Sequence, residues 1–325
     1  MKSRVVRFAQ TGEPSVLRVD QVELGGPGPG QVRIKQTAVG LNYQDVLFRQ
    51  GVYPQKMPGV LGTEAAGAIE AVGEGVTDFA PGDRVAYAGG PPGAYADYRN
   101  VGPAKLVKLP DDITDEQGAA FLMKGMVAEY LLNRVYLVRP GEWALFWAAA
   151  GGVGLIAGQW GKSLGARMIG VAGGGKRCQA ALAHGYEVVI DRQTEDVAAR
   201  VKEVAGEKGV PVVYDSAGKE TFAQTVACLA PRGHFVSFGA HTGEPPDMPA
   251  ATLRMNGSLY FTRPTLVTYT AGKEELIASA AAVFNRLSNG TINGNIGKRY
   301  DLEEAVQAHQ DLESSKNIGP SVLLP

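Results

Sequence analysis

Cysteine is scarce in this chain of 325 residues: its two cysteines, Cys178 and Cys228, stand alone. Two isolated thiols provide neither a disulfide framework nor the spaced ligands of a metal site. No run of some 18 apolar residues occurs, so no membrane-spanning segment is expected, and the first residues lack the pattern of a signal peptide. These absences predict a cytoplasmic protein without a membrane anchor.

An excess of either charge is also missing. Lysine and arginine number 32 against 33 aspartates and glutamates, and the formal net charge is −1. Because the cations are spread along the chain, no basic patch is available for a nucleic acid or a membrane surface. The length of 325 residues suffices for two domains and a sizeable core.

One stretch carries a nucleotide-binding pattern. Residues 143–148 are apolar and predict a buried strand, and Ala149-x-Gly151-x-x-Gly154 follows directly before a helix and a second strand at 168–172. Small residues there let the backbone approach a pyrophosphate, whose charge faces the helix N-terminus. Ala149 departs from the usual first glycine, and alone the pattern also fits an ordinary strand-to-helix turn. In this context it predicts dinucleotide binding by Ala150, Gly151, Gly152 and Val153.

The same stretch lacks an acidic residue. NAD sites carry Asp or Glu at the end of the second strand, but none occurs between Trp143 and Tyr186. The second strand ends instead in a glycine run followed by cations, and another arginine follows the next strand. A guanidinium suits a 2′-phosphate, so the pattern predicts NADPH, the alternative being a solvated basic turn. The predicted contacts are Gly173, Gly174, Lys176, Arg177 and Arg192.

Two kinds of region follow one another along the chain. Residues 1–124 contain short apolar runs broken by turn residues, which predict a β-rich, barrel-like domain. Helical periodicity at 116–122 and 125–132 leads into alternating strands and helices, which predict a doubly wound parallel sheet with ligands at the carboxyl ends of its strands, near Ser216 among others. The predicted runs of the first region are 4–8, 17–22, 31–39, 64–72, 84–87 and 94–99, with a helix at 43–49. The predicted strands of the second are 143–148, 168–172, 187–190, 211–215, 234–238 and 258–262.

Residues 264–325 are too few for an independent core. Their predicted helices at 273–287 and 302–312 and strands at 297–300 and 321–324 are expected to pack on the first domain. The predicted limits are therefore 1–124 with 264–325 for a discontinuous domain and 125–263 for the nucleotide-binding domain.

Several longer motifs are distributed along the whole chain. They are Gly40-Leu-Asn42-Tyr-Gln-Asp45, Pro58-Gly-Val-Leu-Gly-Thr63-Glu64-Ala-Ala-Gly67, Pro81-Gly-Asp-Arg-Val85, Val213-Tyr-Asp215-Ser216, Val236-Ser-Phe-Gly239 and Thr262-Arg-Pro264. With these motifs the chain resembles the quinone oxidoreductase, or zeta-crystallin-like, branch of the medium-chain dehydrogenases/reductases over nearly its whole length. The resemblance implies an α/β protein with a GroES-like β-rich domain, a Rossmann domain and a homodimer paired through the sheet edges near 258–262.

The zinc ligands of related alcohol dehydrogenases are missing. A catalytic cysteine is expected near Gln44 or Asp45 and a histidine at Thr63, and residues 88–103 lack the four cysteines of a structural zinc lobe. The resemblance therefore implies metal-free hydride transfer from NADPH to a quinone. Reduction of alkenals or enones on the same fold is the alternative. RNA binding or a structural role, as in some zeta-crystallin relatives, is disfavoured by the missing basic patch.

The resemblance also places the substrate cleft between the domains, lined by residues 42–53. Asn42, Asp45 and Tyr53 are the substrate-cleft candidates, although no general acid stands out. Each has a structural alternative: Asn42 positions the backbone or the nicotinamide ribose, Asp45 caps the helix or pairs with Arg49, and Tyr53 packs at a turn.

Further cofactor contacts carry over by position from the family. Two departures from the family pattern, Leu47 for a tyrosine and Val127 for a threonine, leave the substrate preference open. The implied contacts are Asn42, Lys124, Phe238, Gly239, Ala240, Phe261, Thr262, Arg263 and Asn317.

Overall fold

The computed structural model describes all of residues 1–325, which form sixteen strands. They are β1 (Lys2–Phe8), β2 (Arg18–Glu23), β3 (Val32–Gly40), β4 (Gly59–Val60), β5 (Glu64–Val72), β6 (Arg84–Ala88), β7 (Tyr98–Val101), β8 (Leu106–Lys108), β9 (Trp143–Trp147), β10 (Arg167–Ala172), β11 (Val188–Asp191), β12 (Val210–Asp215), β13 (Leu229–Ser237), β14 (Tyr260–Thr262), β15 (Lys298–Asp301) and β16 (Ser321–Leu324).

Ten α-helices complete the regular structure, and none of them is both long and apolar enough to cross a membrane. They are α1 (Tyr43–Gln50), α2 (Asp115–Tyr130), α3 (Gly152–Ser163), α4 (Gly175–Ala183), α5 (Val197–Ala205), α6 (Phe222–Cys228), α7 (Ala250–Met255), α8 (Leu266–Tyr269), α9 (Lys273–Ser288) and α10 (Ala305–Glu313).

The chain forms two compact units. The first contains Met1–Lys124, Gly272–Ser288 and Gly294–Pro325, and the second contains Gly125–Ala271 and Asn289–Asn293. Each unit has its own buried apolar cluster, around Ile34 and Tyr95 in the first and around Leu145 and Phe235 in the second.

The first unit is built on β-sheets. One sheet has the order β2-β1-β4, and a larger one has the order β15-β16-β3-β5-β6-β8, with β7 also pairing with β3. Strand β16 lies between β15 and β3, where Val322 is opposite Gly40 in an antiparallel register. Residues from the end of the chain therefore complete the sheet that its first hundred residues begin.

The second unit is built on one six-stranded sheet of order β11-β10-β9-β12-β13-β14, in which every neighbouring pair is parallel. The chain enters the sheet at β9, adds β10 and β11 on one side of it, and then returns to add β12, β13 and β14 on the other side. The strand order therefore reverses between β9 and β12. In open parallel sheets, ligands bind at the carboxyl ends of the strands near such a reversal. The residues that follow β9 and β12 are therefore the first place to look for a site.

Helix α3 packs on this sheet through one apolar face. Ile156, Ala157 and Trp160 are all at most 1% exposed. Their spacing of three and four residues gathers them on one side of the helix, so burial of this apolar stripe fixes α3 against the sheet.

Two predictions differ from the structure, one for a strand of the first unit and one for the helical segments that lead into the second unit. The strand predicted at 94–99 begins only at Tyr98, since the Gln36 amide donates to the Ala94 and Ala96 carbonyls at 2.9 and 2.5 Å and takes up acceptors that strand pairing would use. The helical segments predicted at 116–122 and 125–132 form the single helix α2, which Gly125 does not interrupt. A π-helical turn over Leu131–Val135 then ends it.

Candidate functional site

The first candidate site is the turn between β9 and α3 in the second unit. Ala148 leaves the buried strand with φ 55°, a left-handed conformation that is uncommon for residues other than glycine. Gly151 precedes the helix, and no side chain caps the helix N-terminus. The N–H groups of its first turn, from Gly152 and Val153, have no acceptor within the helix, and together with the positive end of the helix dipole they offer a place where an anion can bind.

Glycine is required at this turn for steric reasons. A Cβ on Gly154 would overlap the Ala148 carbonyl oxygen and lie 2.6 Å from that of Ala149, and one on Gly151 would lie 3.1 Å from the Ala148 oxygen. The helix can therefore approach the strand only without a side chain at Gly154. The turn offers backbone donors and no competing side chain, which fits the pyrophosphate of a dinucleotide. The predicted residues Ala150, Gly151, Gly152 and Val153 all lie here.

A second turn follows the neighbouring strand β10. Residues 173–174 separate it from α4, whose first turn carries the exposed Lys176 and the partly buried Arg177. A Cβ on Gly173 would lie 3.3 Å from Nε of Arg192, which places that guanidinium beside the turn. Burial and the charge of Arg192 lower the pKa of Arg177. An anionic group bound here would relieve the repulsion between the two cations, which fits a 2′-phosphate.

Asp191 also belongs to this turn, and the sequence analysis did not single it out. Its Oδ1 accepts hydrogen bonds from the backbone N–H groups of Gly174 and Gln193, both at 3.0 Å, and these bonds lower the pKa of the carboxyl. The carboxylate ties residues 173–174 to the end of β11. The sequence did contain a signal for this role, because Asp191 follows directly after the predicted strand at 187–190 and precedes Arg192.

Other predicted contacts lie where β12 and β13 end. Gly239 packs so tightly on Ser216 that a Cβ would come 2.8 Å from the Ser216 Cα. The Arg263 guanidinium donates to the Gly239 carbonyl at 2.7 Å and to Ser237 Oγ at 3.3 Å, and it pairs with Glu244 at 3.4 Å. The structure therefore brings Ser216, Gly239 and Arg263 together, and it leaves the flanking Phe238 and Ala240 in the same segment.

The last strand of the sheet holds two further candidates. Thr262 pairs with Val236 in the β13–β14 register. Phe261 packs edge-on against Phe235, with ring centroids 5.2 Å apart. Phe261 thus has a packing role in the core of the second unit beside its predicted contact with the cofactor.

The first unit contains a buried polar cluster around Glu64, which was not a predicted site residue. The Glu64 carboxylate accepts from Asn42 Nδ2 at 2.8 Å, from Lys124 Nζ at 3.1 Å and from the backbone N–H of Met123 at 2.6 Å. Asn42 and Lys124 lie 82 residues apart in the sequence numbering, and this carboxylate brings the two predicted residues together. Spacing alone gave no signal for that contact.

Asp45 supports the same region from inside the unit. Its Oδ2 accepts from the Asn42 backbone N–H and the Tyr95 hydroxyl, both at 3.2 Å, and its Oδ1 accepts from the Gly62 N–H at 3.0 Å. The side chain is 0% exposed, and burial raises the pKa of Asp45 to about 7. This geometry favours the capping alternative over a substrate contact. The suggested partner Arg49 instead pairs with Glu313 at 2.5 Å.

Two remaining candidates have structural contacts in the first unit. Tyr53 is partly buried, and its ring meets Phe48 edge-on with centroids 5.4 Å apart. Asn317 Oδ1 accepts a hydrogen bond from the Tyr300 hydroxyl at 2.8 Å. Tyr53 remains accessible enough for a ligand contact.

The arrangement offers no evident metal site. No group of three or more His, Cys, Asp or Glu side chains in the chain is placed to hold a metal ion. Thr63, where the zinc-dependent relatives are expected to have histidine, is fully buried. The metal-free reaction stays a prediction.

Comparison with known proteins identifies the family. A model of the alcohol dehydrogenase GroES-like domain matches residues 28–111, and a model described as zinc-binding dehydrogenase matches residues 152–286. The quinone oxidoreductase of Pseudomonas aeruginosa is 45% identical over 321 residues, which cover 98% of this chain and 99% of that protein. The chain belongs to the quinone oxidoreductase family. The resemblance and its place among the medium-chain dehydrogenases/reductases are confirmed.

A solved member of the quinone oxidoreductase family confirms the fold class. The crystal structure of Escherichia coli quinone oxidoreductase complexed with NADPH has a TM-score of 0.97 at 40% identity and covers 99% of this chain and 100% of that one. The family fold thus combines a GroES-like β-rich domain with a Rossmann sheet. A 2-haloacrylate reductase from a Burkholderia species is also similar, with 39% identity over 97% of this chain and 96% of that protein.

Proposed function

We propose that this chain is an NADPH-dependent quinone oxidoreductase that transfers a hydride to a quinone without a metal ion. The observation that carries the proposal is the uncapped α3 N-terminus beside two guanidinium groups, in a chain similar over its full length to an enzyme solved with NADPH. The backbone site accommodates a pyrophosphate, and Arg177 and Arg192 supply the positive charge that a 2′-phosphate requires.

Each part of the chain has a distinct task in the proposed reaction. Bound NADPH supplies the hydride, which is equivalent to two electrons and one proton. The turn between β9 and α3, residues 148–154, is called the glycine turn and holds the pyrophosphate. Arg177 and Arg192 select the phosphorylated ribose. Lys124 and Asn42 orient the nicotinamide end, together with the side chains and backbone of Ser216, Phe238, Gly239, Ala240, Phe261, Thr262, Arg263 and Asn317.

The substrate contacts are proposed along residues 42–53, with Tyr53 as the side chain that touches the quinone ring. Asp45 is assigned to positioning Asn42, because its carboxyl group is enclosed by three donors. Since Asp45 is not accessible, we propose that solvent protonates the hydroquinone anion after hydride transfer. The predicted domains, 1–124 with 264–325 for substrate and 125–263 for NADPH, are part of this proposal.

A conjugated alkene is the second candidate substrate, favoured by the similarity to 2-haloacrylate reductase. Both substrate classes accept a hydride at a position conjugated to a carbonyl group, so the same nucleotide site would serve both. Steady-state assays with 1,4-benzoquinone, 9,10-phenanthrenequinone and a series of alkenals decide between them. A higher kcat/KM on the quinones supports the first candidate, and a higher value on the alkenals supports the second.

Binding is tested separately from turnover. Calorimetric titration of the purified protein with NADPH and with NADH should give a clearly lower Kd for NADPH. Absence of detectable NADPH binding would rule out the proposed function.

We also propose a cytoplasmic homodimer that pairs the β14 edges of two sheets. Strand β14 lies at the edge of the six-stranded sheet, and Tyr260 on it is 57% exposed. Unpaired strand edges are ready sites for pairing with another chain. Sedimentation analysis should give a mass near twice 34.3 kDa, and a monomer at micromolar concentration would contradict this part.

A further inference from the structure

We propose that Glu64 is a positioning residue of the nucleotide site: its carboxylate fixes the Lys124 ammonium and the Asn42 amide in the orientation in which they act on the nicotinamide end of NADPH. The inference rests on the proposed function. It assigns a positioning role to Glu64, whose carboxylate contacts Lys124 and Asn42.

The carboxylate has the contacts that such a role requires. Glu64 is 0% exposed, and each of its oxygens accepts at least one hydrogen bond. Oε1 accepts from the Met123 N–H, and Oε2 accepts from both Asn42 Nδ2 and Lys124 Nζ. One oxygen therefore sets the place of both side chains, and the backbone contact fixes the carboxylate itself.

The surrounding backbone prevents the carboxylate from moving aside. A Cβ on Gly40 would overlap both Glu64 Oε2 and the Ala119 carbonyl oxygen. Gly40 at the end of β3 thus lies directly against both the carboxylate and helix α2, whose Met123 N–H donates to that carboxylate. Only glycine at position 40 leaves room for this contact.

Charge distinguishes this cluster from ordinary packing. The Lys124 side chain is 8% exposed, so its ammonium has given up most of its hydration and depends on the Glu64 charge for compensation. Without that charge the ammonium would turn toward water, which would remove it from the place it holds in the structure.

The test measures NADPH binding in a double-mutant cycle. Kd values are determined by calorimetry for the wild type, Glu64→Gln, Lys124→Met and the double variant. Because a hydrogen bond that involves a charged group is worth about 1.5–3 kcal/mol, each single variant should raise Kd about tenfold or more. If Glu64 acts through Lys124, the double variant should bind nearly as Lys124→Met does.

A second readout separates this role from phosphate recognition. Glu64→Gln should weaken NADPH and NADH binding by the same factor, since the nicotinamide end is common to both. A loss of affinity confined to NADPH would contradict the proposal. It would also be contradicted if the Kd of the double variant rose by the product of the factors found for the two single variants. An unchanged Kd in Glu64→Gln would also overturn it.

The matched control is Asp97→Asn in the same unit. It removes the carboxylate charge that pairs with Arg4 at 2.7 Å, outside residues 42–53 and outside the proposed nucleotide contacts. This variant should lower the melting temperature and leave the Kd for NADPH unchanged. If Glu64→Gln fails to fold, Glu64→Asp is measured instead, because it keeps the charge but withdraws it by one methylene group. A raised Kd in that variant supports the proposal, and an unchanged Kd overturns it.

The outcomes for the two proposals differ. A wild-type protein that does not bind NADPH contradicts the proposed function. A wild-type protein that binds NADPH, with a Glu64→Gln variant that binds equally well, contradicts only the role of Glu64.

Discussion

The glycine turn of the second unit and the Glu64 cluster of the first unit present polar groups in opposite ways. At the turn, the donors are backbone N–H groups of α3, and the neighbouring side chains are alanine, glycine and valine. In the cluster, the groups are charged side chains that are almost fully buried and already paired with one another. The turn can therefore bind an external anion, whereas the anion of the cluster is the Glu64 carboxylate of the protein itself.

The two regions should therefore fail for different reasons. The turn depends on the absence of atoms, so adding one methyl group should damage it. The cluster depends on balanced charge, so removing a charge at constant volume should damage it. The Glu64→Gln variant described above tests the cluster, and the following substitutions test the turn, its neighbouring cation and the buried Asp45 beside the cluster.

The largest effect is expected from Gly154→Ala. The added Cβ would overlap the carbonyl oxygen of Ala148, so the turn must shift or α3 must move away from the sheet. We expect the free energy of unfolding to fall by about 1–3 kcal/mol, the usual range for overpacking, and NADPH affinity to fall with it. Urea denaturation and calorimetric titration measure the two effects.

Gly102→Ala is the control for that substitution, since a Cβ there meets nothing within 4 Å. It should leave both stability and NADPH affinity near the wild-type values. Equal effects of the two substitutions would show that the close approach at Gly154 is not what the turn requires.

Arg177→Ala tests whether a side chain adds selectivity to a site made of backbone. Loss of a charged hydrogen bond of about 1.5–3 kcal/mol corresponds to a KM for NADPH raised about tenfold to a hundredfold. The KM for NADH should change little, because NADH lacks the 2′-phosphate. The control is Arg200→Ala, which removes a surface arginine of α5 that pairs with Glu195 and Glu203. Equal changes for the two nucleotides would contradict the phosphate role.

The last substitution, Asp45→Asn, should change the pH dependence of stability. Burial raises the pKa of Asp45 to about 7, above its value of about 3.9 in an unfolded chain. Between these values the folded protein holds a proton that the unfolded chain has released, so rising pH lowers stability by at most about 1.4 kcal/mol per unit. Asparagine lacks this titration.

The measurement for Asp45 is urea denaturation of both proteins between pH 4 and pH 8. The wild type should lose stability relative to Asp45→Asn as the pH rises toward about 7, and the difference should level off above that value. Parallel pH curves would show that the carboxyl group is not titrating in the folded protein.

The glycine turn could be predicted from the sequence because its residues are contiguous. The strand, the small residues and the helix follow one another, so periodicity and composition suffice to place Gly151, Gly152 and Gly154 at one sheet edge. Arg177 could be predicted for the same reason, because it follows the second strand and its glycines within a few residues. Asp191 was missed because its function there, accepting the Gly174 N–H, depends on how the third strand lies beside the second.

The Glu64 cluster could not be predicted in this way. Its members lie on β5, before α1 and in α2, and only the fold decides which of many carboxylates meets Lys124. The choice between the alternatives for Asp45 likewise needed the positions of Tyr95 and Gly62. Sequence patterns identify residues of the right chemistry, whereas long-range partners require coordinates.

The position of β16 has a consequence for how this protein is made. Its sheet in the first unit stays incomplete between β15 and β3 until residues 321–324 have been synthesised. By then the ribosome has already delivered every residue of the second unit, which can fold during translation. We therefore expect nascent chains to expose the unpaired backbone of Val39 and Gly40 at the edge of β3 until β16 arrives.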